Sequence, residues 1–350
     1  MSVPGQKKEN ASRFAVGDTR SGSREIRSLP VREINYTKHM TMKDAPVLRK
    51  TGAVAADGEF TPFVWKGRLY RLECHIIDRE DGIELPCVII VDVMERKECA
   101  RFAYGLSYPS GYCEDDRIYV FGMKKRKLPE ENDIAVMYCS DDMQTWAEYE
   151  LFSRPGWRLW NTSVCKGPDG YRMAIEVSLD ENIDEERKKA LQPVIGVPFT
   201  EFFLRSDDLL HWEWLDDDHC YTPERYCACP VLKYSDGYYY MICLEELPLR
   251  RYAPYIYRTK DFFTWEIGYH NPIMMPGNED RKIQDGVEMD EATREWIESC
   301  FDINNSDVDM CEFEGKTYFY YGMGDQLSRG IICEAIYDGP LDEYLKRMFE

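Results

Sequence analysis

Two aspartates near the end of the chain have the spacing that places both side chains on one face of a β-strand. The segment from Asn304 to Asp309, NNSDVD, is the densest cluster of acids and amides in the sequence, and residues two apart in a strand point to the same side. Such side chains can act as catalytic carboxylates or accept hydrogen bonds from ligand hydroxyls. They can also cap backbone amides, or hold a cation through their oxygens. Asp307 and Asp309 are therefore candidate catalytic residues, and Asn305 is a candidate binding residue.

A related pair stands near residue 60. Counted back from Gly67 and Gly315, Glu59 and Thr61 occupy the positions that Asp307 and Asp309 occupy in the later segment. We therefore predict that Glu59 is a second candidate catalytic carboxylate and that Thr61 binds a ligand.

Acids also follow several apolar runs at nearly equivalent places. They are Glu73, Glu176, Glu245 and Asp325. A carboxylate after a run such as RMAI or YYYMICL is costly to bury without a partner, so it is either paired, for example with an arginine, or functional. Glu176 and Glu245 are candidate catalytic residues, and Asp325 is a candidate binding residue.

An internal repeat predicts the elements that position these residues. A proline or small polar residue, a short apolar run, a Gly- or Asp-containing turn and an aromatic run recur in five segments, which begin at Thr61, Tyr108, Asn161, Cys229 and Asp309. Each reads as two short strands joined by a tight turn. Three are followed by a further strand and a turn that places Trp146, Trp212 and Trp265 at the same spacing. We assign these tryptophans to packing.

Units of three to four strands cannot bury their faces alone, and closing them into a ring removes the open sheet edges. The sequence therefore predicts an all-β fold, a five-bladed β-propeller over residues 53–350, with blades starting near residues 59, 107, 160, 227 and 305. A β-sandwich is the alternative. Short helical insertions are predicted over 180–192 and 285–301, with a closing helix over 340–350. Residues 1–52 are predicted to form an N-terminal arm, partly disordered, that offers a route to a homo-oligomer.

Composition limits the partners. Acidic residues outnumber basic ones by 64 to 44, a formal net charge of -20, which repels nucleic acid and anionic lipid. There is no apolar stretch long enough to cross a membrane. The 13 cysteines are scattered and only five histidines are present. This pattern indicates free thiols in the cytoplasm and no metal site, the acid cluster being the one place where a cation is an alternative.

The aromatic hairpins after a proline and the repeated Ser-x-Asp-x-x-x-Trp turns resemble the five-bladed propeller glycosidases, which include β-xylosidases, arabinanases, invertases and mannoside phosphorylases. The resemblance covers residues 55–337. It implies a central funnel in which carboxylates at the strand starts serve as base or nucleophile, as acid, and as a group that tunes the acid. Glycoside cleavage needs one carboxyl group to protonate the leaving oxygen and another to activate water or attack the sugar.

The sequence departs from that family at several of these positions. Thr61, Ser110 and Asn161 stand where an aspartate is expected, and Ala228 replaces the glutamate of the invertase segment Trp-Glu-Cys-Pro. Glu224, four residues earlier, is a candidate displaced general acid. Trp160 and Asn161 suit a sugar platform and a hydroxyl-binding amide.

These residues lead to the hypothesis of a glycoside hydrolase in carbohydrate metabolism that cleaves a small oligosaccharide and needs no cofactor. Water would be activated by a carboxylate of the first or last segment, and the leaving oxygen protonated by Glu176, Glu224 or Glu245. Two alternatives stay open: a glycoside phosphorylase, which needs a cationic pocket, and a sugar-binding propeller that has lost its acid. A protein-interaction propeller is the least favoured, because acids recur at funnel positions.

Overall fold

The computed structural model describes residues 44–56, 58–78, 84–124, 134–179, 183–195, 199–222, 225–326 and 330–350. The described part is mostly β, with short helices, and its four-stranded sheets are arranged as blades. Most of the predicted N-terminal arm lies outside these residues, and so does Glu224.

Within the described ranges, twenty strands form five antiparallel units of four. The first unit contains β2 (Phe60–Trp65), β3 (Arg68–Asp78), β4 (Glu84–Asp92) and β5 (Lys97–Phe102). The second contains β6 (Ser107–Glu114), β7 (Arg117–Lys124), β8 (Ile134–Ser140) and β9 (Ala147–Phe152). The third contains β10 (Trp157–Gly167), β11 (Gly170–Leu179), β12 (Thr200–Ser206) and β13 (Glu213–Trp214).

The remaining strands belong to one eight-stranded sheet made of two such units. The fourth unit contains β14 (Cys227–Ser235), β15 (Tyr238–Leu247), β16 (Arg251–Thr259) and β17 (Trp265–Ile267). The fifth contains β18 (Asn304–Phe313), β19 (Lys316–Gly324), β20 (Gly330–Tyr337) and β1 (Arg49–Ala56). A single parallel pairing, Tyr252 with Asn304, joins the two units.

Strand β1 completes the fifth unit from the other end of the described chain. It pairs antiparallel with β20, from Arg49 opposite Ile336 to Ala56 opposite Ile331. The predicted boundary between an arm and the propeller, at residues 52 and 53, therefore falls inside a strand. The segment RKTGAVAA from Arg49 to Ala56 has no alternation of polar and apolar residues, so the sequence carried no clear strand signal there.

The first strands of the units lie in a closed series. Strand β2 contacts β6, β6 contacts β10, β10 contacts β14, β14 contacts β18, and β18 contacts β2. The apolar core lies between adjacent units, because each unit presents an apolar face to the next. The starts of these five strands consequently meet around one axis.

The repeated turn joins the third strand to the fourth in three units. In the third unit, Ser206 Oγ accepts hydrogen bonds from the amides of Asp208 and Leu209, and Asp208 Oδ1 accepts from those of Leu210 and His211. The turn presents a tryptophan to the preceding unit: Trp146 stacks on Phe102 with centroids 3.6 Å apart, and Trp212 meets the edge of Phe121 at 6.2 Å. These contacts agree with the predicted packing role.

Three α-helices lie among the described residues, close to the predicted insertions. Helix α1 spans Glu185–Ile195, α2 spans Glu291–Ser299 and α3 spans Leu341–Arg347. Helix α2 begins later than predicted because Asp290 caps it, accepting from the Thr293 amide. Pro340 precedes α3, as the sequence indicates.

Candidate active site

Irregular pairing occurs near the starts of the first strands in four of the units. The register with the neighbouring strand shifts between Ser107 and Ser110, Leu159 and Thr162, Ala228 and Val231, and Ser306 and Asp309. Within three of these bulges, Tyr108, Cys229 and Asp307 have positive φ angles of 55°, 54° and 53°. Left-handed backbone is unfavourable for residues with a side chain and is concentrated at functional sites. The bulges therefore mark the axis as the candidate site.

A small cavity that opens to solvent lies at this point. Its described lining residues are Glu59, Phe60, Thr61, Pro109, Ser110, Asn161, Thr162, Cys229, Pro230, Val231, Asp307 and Asp309. The structure thus brings together five residues that sequence reasoning selected from three separate segments: Glu59, Thr61, Asn161, Asp307 and Asp309.

Glu59 has the environment of a carboxyl group that keeps its proton. Burial raises its pKa well above the ordinary value, and the negative charges of Asp307 and Glu176 raise it further. Its Oε2 atom is buried and has no hydrogen-bond partner among the described residues. An uncharged carboxyl that faces a cavity can donate a proton to a bound molecule.

Asp309 is anchored through one of its carboxyl oxygens. Its Oδ1 atom lies 2.9 Å from Lys233 Nζ and accepts a hydrogen bond from the Met310 amide at 2.7 Å. These contacts hold the side chain in place at the cavity lining.

Glu176 lies directly behind the cavity wall and supports two of its residues. Its Oε2 atom accepts a hydrogen bond from the Cys229 amide at 2.7 Å and another from Asn161 Nδ2 at 3.0 Å. Burial raises the pKa of Glu176 to about 7, although these two donors oppose the shift. Glu176 thus fixes the bulge that carries Cys229 and the side chain that presents Asn161.

This shift predicts how stability depends on pH. A carboxyl whose pKa is raised in the folded state favours folding at low pH, and that contribution is lost as pH rises from its unfolded value towards about 7. Replacing Glu176 by Gln should remove about 3 kcal/mol of that pH dependence. Urea unfolding of both proteins at pH 4.5 and pH 8 measures the difference. If the free energy of unfolding changed equally between pH 4.5 and pH 8 in the two proteins, the raised pKa could not belong to Glu176.

Four other predicted residues do not line the cavity. Glu245 is paired with Arg225 at 2.6 Å and accepts a bond from Tyr257. Burial raises the pKa of Glu245 to about 7, and Arg225 opposes this.

The other three are Asn305, Trp160 and Asp325. Asn305 is fully buried and hydrogen-bonded to Lys50 Nζ and Asp280 Oδ2. Trp160 donates to Ser178 Oγ and packs between Tyr108 and Phe199. Asp325 is half-buried outside the lining.

Glu73, the remaining acid after an apolar run, belongs to a buried ion pair. Arg71 Nε lies 2.8 Å from Glu73 Oε1, and His75 Nε2 lies 2.7 Å from Glu73 Oε2. The Arg71 guanidinium stands 4.9 Å over the ring of Tyr320 in the fifth unit. The ion pair of Arg71 and Glu73 therefore lies at the contact between the first unit and the fifth.

Two cavity residues and one residue beneath the cavity were missed as site residues. Ser110 Oγ lies 2.9 Å from Thr162 Oγ1, and Cys229 occupies the bulge that Asp307 occupies in the fifth unit. Their common position before or after a proline in the repeat was the available signal. Glu201, within the apolar run of β12, is fully buried, and only its register opposite Glu176 distinguishes it.

Among the described residues, no three His, Cys, Asp or Glu side chains are grouped so that they could hold a metal ion. No described helix is long and apolar enough to span a membrane.

Neither a family model nor a curated protein matches the sequence. Solved structures do match. A glycoside hydrolase aligns with a TM-score of 0.54 at 9% identity, over 89% of this chain and 96% of that one. The GH43 protein BlXynB of Bacillus licheniformis aligns at 0.52 and 12% identity, over 83% of this chain and 54% of that one.

A third match is the GH32 β-fructofuranosidase BmSUC1 of Bombyx mori, in a mutant form in complex with sucrose. It aligns with a TM-score of 0.52 at 12% identity, over 87% of this chain and 65% of that one. The described chain thus has the fold of the propeller glycosidases, as the sequence resemblance predicted.

Proposed function

We propose that this chain, which has the fold of the propeller glycosidases, is a glycoside hydrolase that cleaves a small oligosaccharide or glycoside. The observation that carries the proposal is the convergence of Glu59, Asp307 and Asp309 on one cavity, with Glu176 behind its wall. Glycoside hydrolysis requires two carboxyl groups whose environments push their pKa values apart.

We assign the proton donor to Glu59. It lines the cavity, burial and two neighbouring charges raise its pKa, and one of its oxygens has no partner among the described residues. Two of the donors named from the sequence are less suitable: Glu176 uses Oε2 to hold the wall, and Glu245 is paired with Arg225 away from the cavity. The third, Glu224, lies outside the described residues.

We assign the second carboxyl role, activation of water or attack on the sugar, to Asp307. It lines the same cavity, and its left-handed backbone directs it from the bulge of β18. Its charge is one of the causes that raise the pKa of Glu59. The hydrogen-bonding groups of Thr61, Ser110, Asn161 and Asp309 surround these two acids and suit the hydroxyls of a sugar.

We also propose that the fold is a five-bladed propeller. The five four-stranded units are taken as the five blades of a propeller, because their first strands contact one another in a closed series. The cavity is then the funnel at the axis.

The lining favours hydrolysis over phosphorolysis. A phosphorylase must bind phosphate beside the acid, but no lysine or arginine is among the described residues that line the cavity. Lys233, which contacts the lining residue Asp309, is held in an ion pair with it at 2.9 Å.

The test is turnover of a panel of natural and chromogenic glycosides by the purified protein, with and without inorganic phosphate. We expect hydrolysis that does not depend on phosphate and is lost in Asp307→Asn. Phosphate-dependent turnover would support the phosphorylase instead. Sugar binding without turnover on any glycoside would support a non-catalytic sugar-binding propeller.

A further inference from the structure

Glu201 is a buried acid that the proposed reaction does not use. It lies in β12, it is fully inaccessible to solvent, and neither of its carboxyl oxygens has a hydrogen-bond partner among the described residues. An ionised carboxylate in such a place would be strongly unfavourable, so the group must be neutral or share its proton.

The strand register identifies the group that can share it. Glu201 stands directly opposite Glu176 in the antiparallel pairing of β11 with β12, between the pairs Ile175–Phe202 and Val177–Thr200. Residues directly opposite each other place their side chains on the same face of the sheet, with Cβ atoms about 5 Å apart. The two acidic residues therefore lie side by side on one face of the sheet, beneath the cavity wall.

The two hydrogen bonds by which Glu176 holds the cavity wall use only one of its carboxyl oxygens. Oε2 already accepts from the Cys229 amide and from Asn161 Nδ2. An acid that accepts two hydrogen bonds on one oxygen can accept a third on the other when it is ionised. A protonated Glu201 needs an acceptor of that kind.

We propose that Glu201 stays protonated and donates a hydrogen bond to Oε1 of Glu176, which makes it the positioning residue for the cavity wall. An effect of Glu201 on catalysis depends on the function proposed above. It would act through Glu176, which holds Cys229 and Asn161 next to Glu59 and Asp307. As pH rises through neutrality, Glu176 loses its proton and Glu201 keeps its own.

The groups that face this pair support the order of ionisation. Cys227 of β14 and Cys243 of β15 lie on the Glu201 side with their sulfurs 2.7 Å apart, and Cys229, Asp307 and Glu59 lie on the Glu176 side. Burial raises the pKa of all three thiols, so they stay neutral. The charge of Glu176, after burial itself, raises the pKa of Glu201, so Glu201 ionises last.

The test is NMR titration of the protein labelled with ¹³C at the glutamate side-chain carboxyls, which needs no substrate. Glu176→Gln and Glu201→Gln assign the two signals by their loss. In the wild type we expect Glu176 to titrate near neutral pH and Glu201 at a higher pH. Glu176→Gln should lower the Glu201 midpoint by about one unit or more, because the repelling charge is removed.

Substitutions of Glu201 distinguish a hydrogen-bond donor from a side chain that only fills space. Glu201→Gln keeps a donor, so the Glu176 midpoint should move by less than about half a unit. Glu201→Leu removes the donor and should raise that midpoint by about one unit or more. If Glu201→Leu does not fold, the Glu176→Gln arm decides alone.

A Glu201 signal that titrates at the ordinary glutamate value, or whose midpoint ignores Glu176→Gln, would overturn the proposal. Either result is independent of whether any glycoside is cleaved. Conversely, failure of the glycoside panel leaves the titration of the pair unchanged.

Discussion

Glu59→Gln should reduce hydrolysis of a natural glycoside by roughly 10²- to 10⁴-fold, because the amide cannot protonate the leaving oxygen. The loss should be much smaller for an aryl glycoside with an acidic phenol, since that leaving group departs without a proton. Comparison of kcat/KM for the two substrates in the wild type and the variant measures the difference. Glu59 is suited to this role because burial and the nearby charges raise its pKa.

Two controls make that experiment specific. Asp307→Asn should lose activity on both substrates, since the second carboxyl role does not depend on the leaving group. Glu295→Gln changes an exposed glutamate of α2 and should leave both activities intact. An equal loss on both substrates in Glu59→Gln would contradict its role as the proton donor.

Arg71→Ala should lower the free energy of unfolding by about 3 to 5 kcal/mol, because it leaves the buried charge of Glu73 without the guanidinium that pairs with it and with only His75 beside it. Both residues are almost inaccessible, with 5% and 2% of their surface exposed. The substitution also removes the guanidinium that stands over Tyr320, at the contact between the first and fifth units. Urea unfolding at neutral pH measures the effect.

An exposed ion pair of the same residue types serves as the control for the cost of Arg71→Ala. Arg101 forms a 2.7 Å ion pair with Glu98, but the two side chains are 40% and 41% exposed. Arg101→Ala should therefore cost no more than about 1 kcal/mol. Adding Glu73→Gln to Arg71→Ala should restore part of the loss. A cost for Arg71→Ala no greater than that for Arg101→Ala would show that the buried pair does not stabilise this contact.

The sequence predicted the parts of the fold that repeat. The hairpins that begin near Thr61, Tyr108, Asn161, Cys229 and Asp309 correspond to the first two strands of the five units, because turn residues between apolar runs determine a hairpin locally. The closing role of β1 could not be read in the same way. Its pairing with β20 depends on a contact between distant parts of the chain, which no local pattern encodes.

The candidate site was predicted in part for the same reason. Alternation along a strand was enough to select Glu59, Asp307 and Asp309, which the structure brings to one cavity. Asn305 was selected from the same cluster and Glu245 from its place after an apolar run, yet partners from other segments, Asp280 and Arg225, bind them elsewhere. The bulge at Cys229 and the pairing of Glu201 with Glu176 depend on backbone geometry and cross-strand register.

The composition of the fifth unit has a consequence for synthesis on the ribosome. Strand β1 is translated before the other strands, whereas its partner β20 follows some 280 residues later, as the pairing of Arg49 with Ile336 requires. At translation rates of about 5 to 20 residues per second, the first strand waits roughly 15 to 60 s for its partner. Over that interval the edge of β1 that pairs with β20 stays open, so this segment of the nascent chain is exposed to pairing with other strands until β20 has been made.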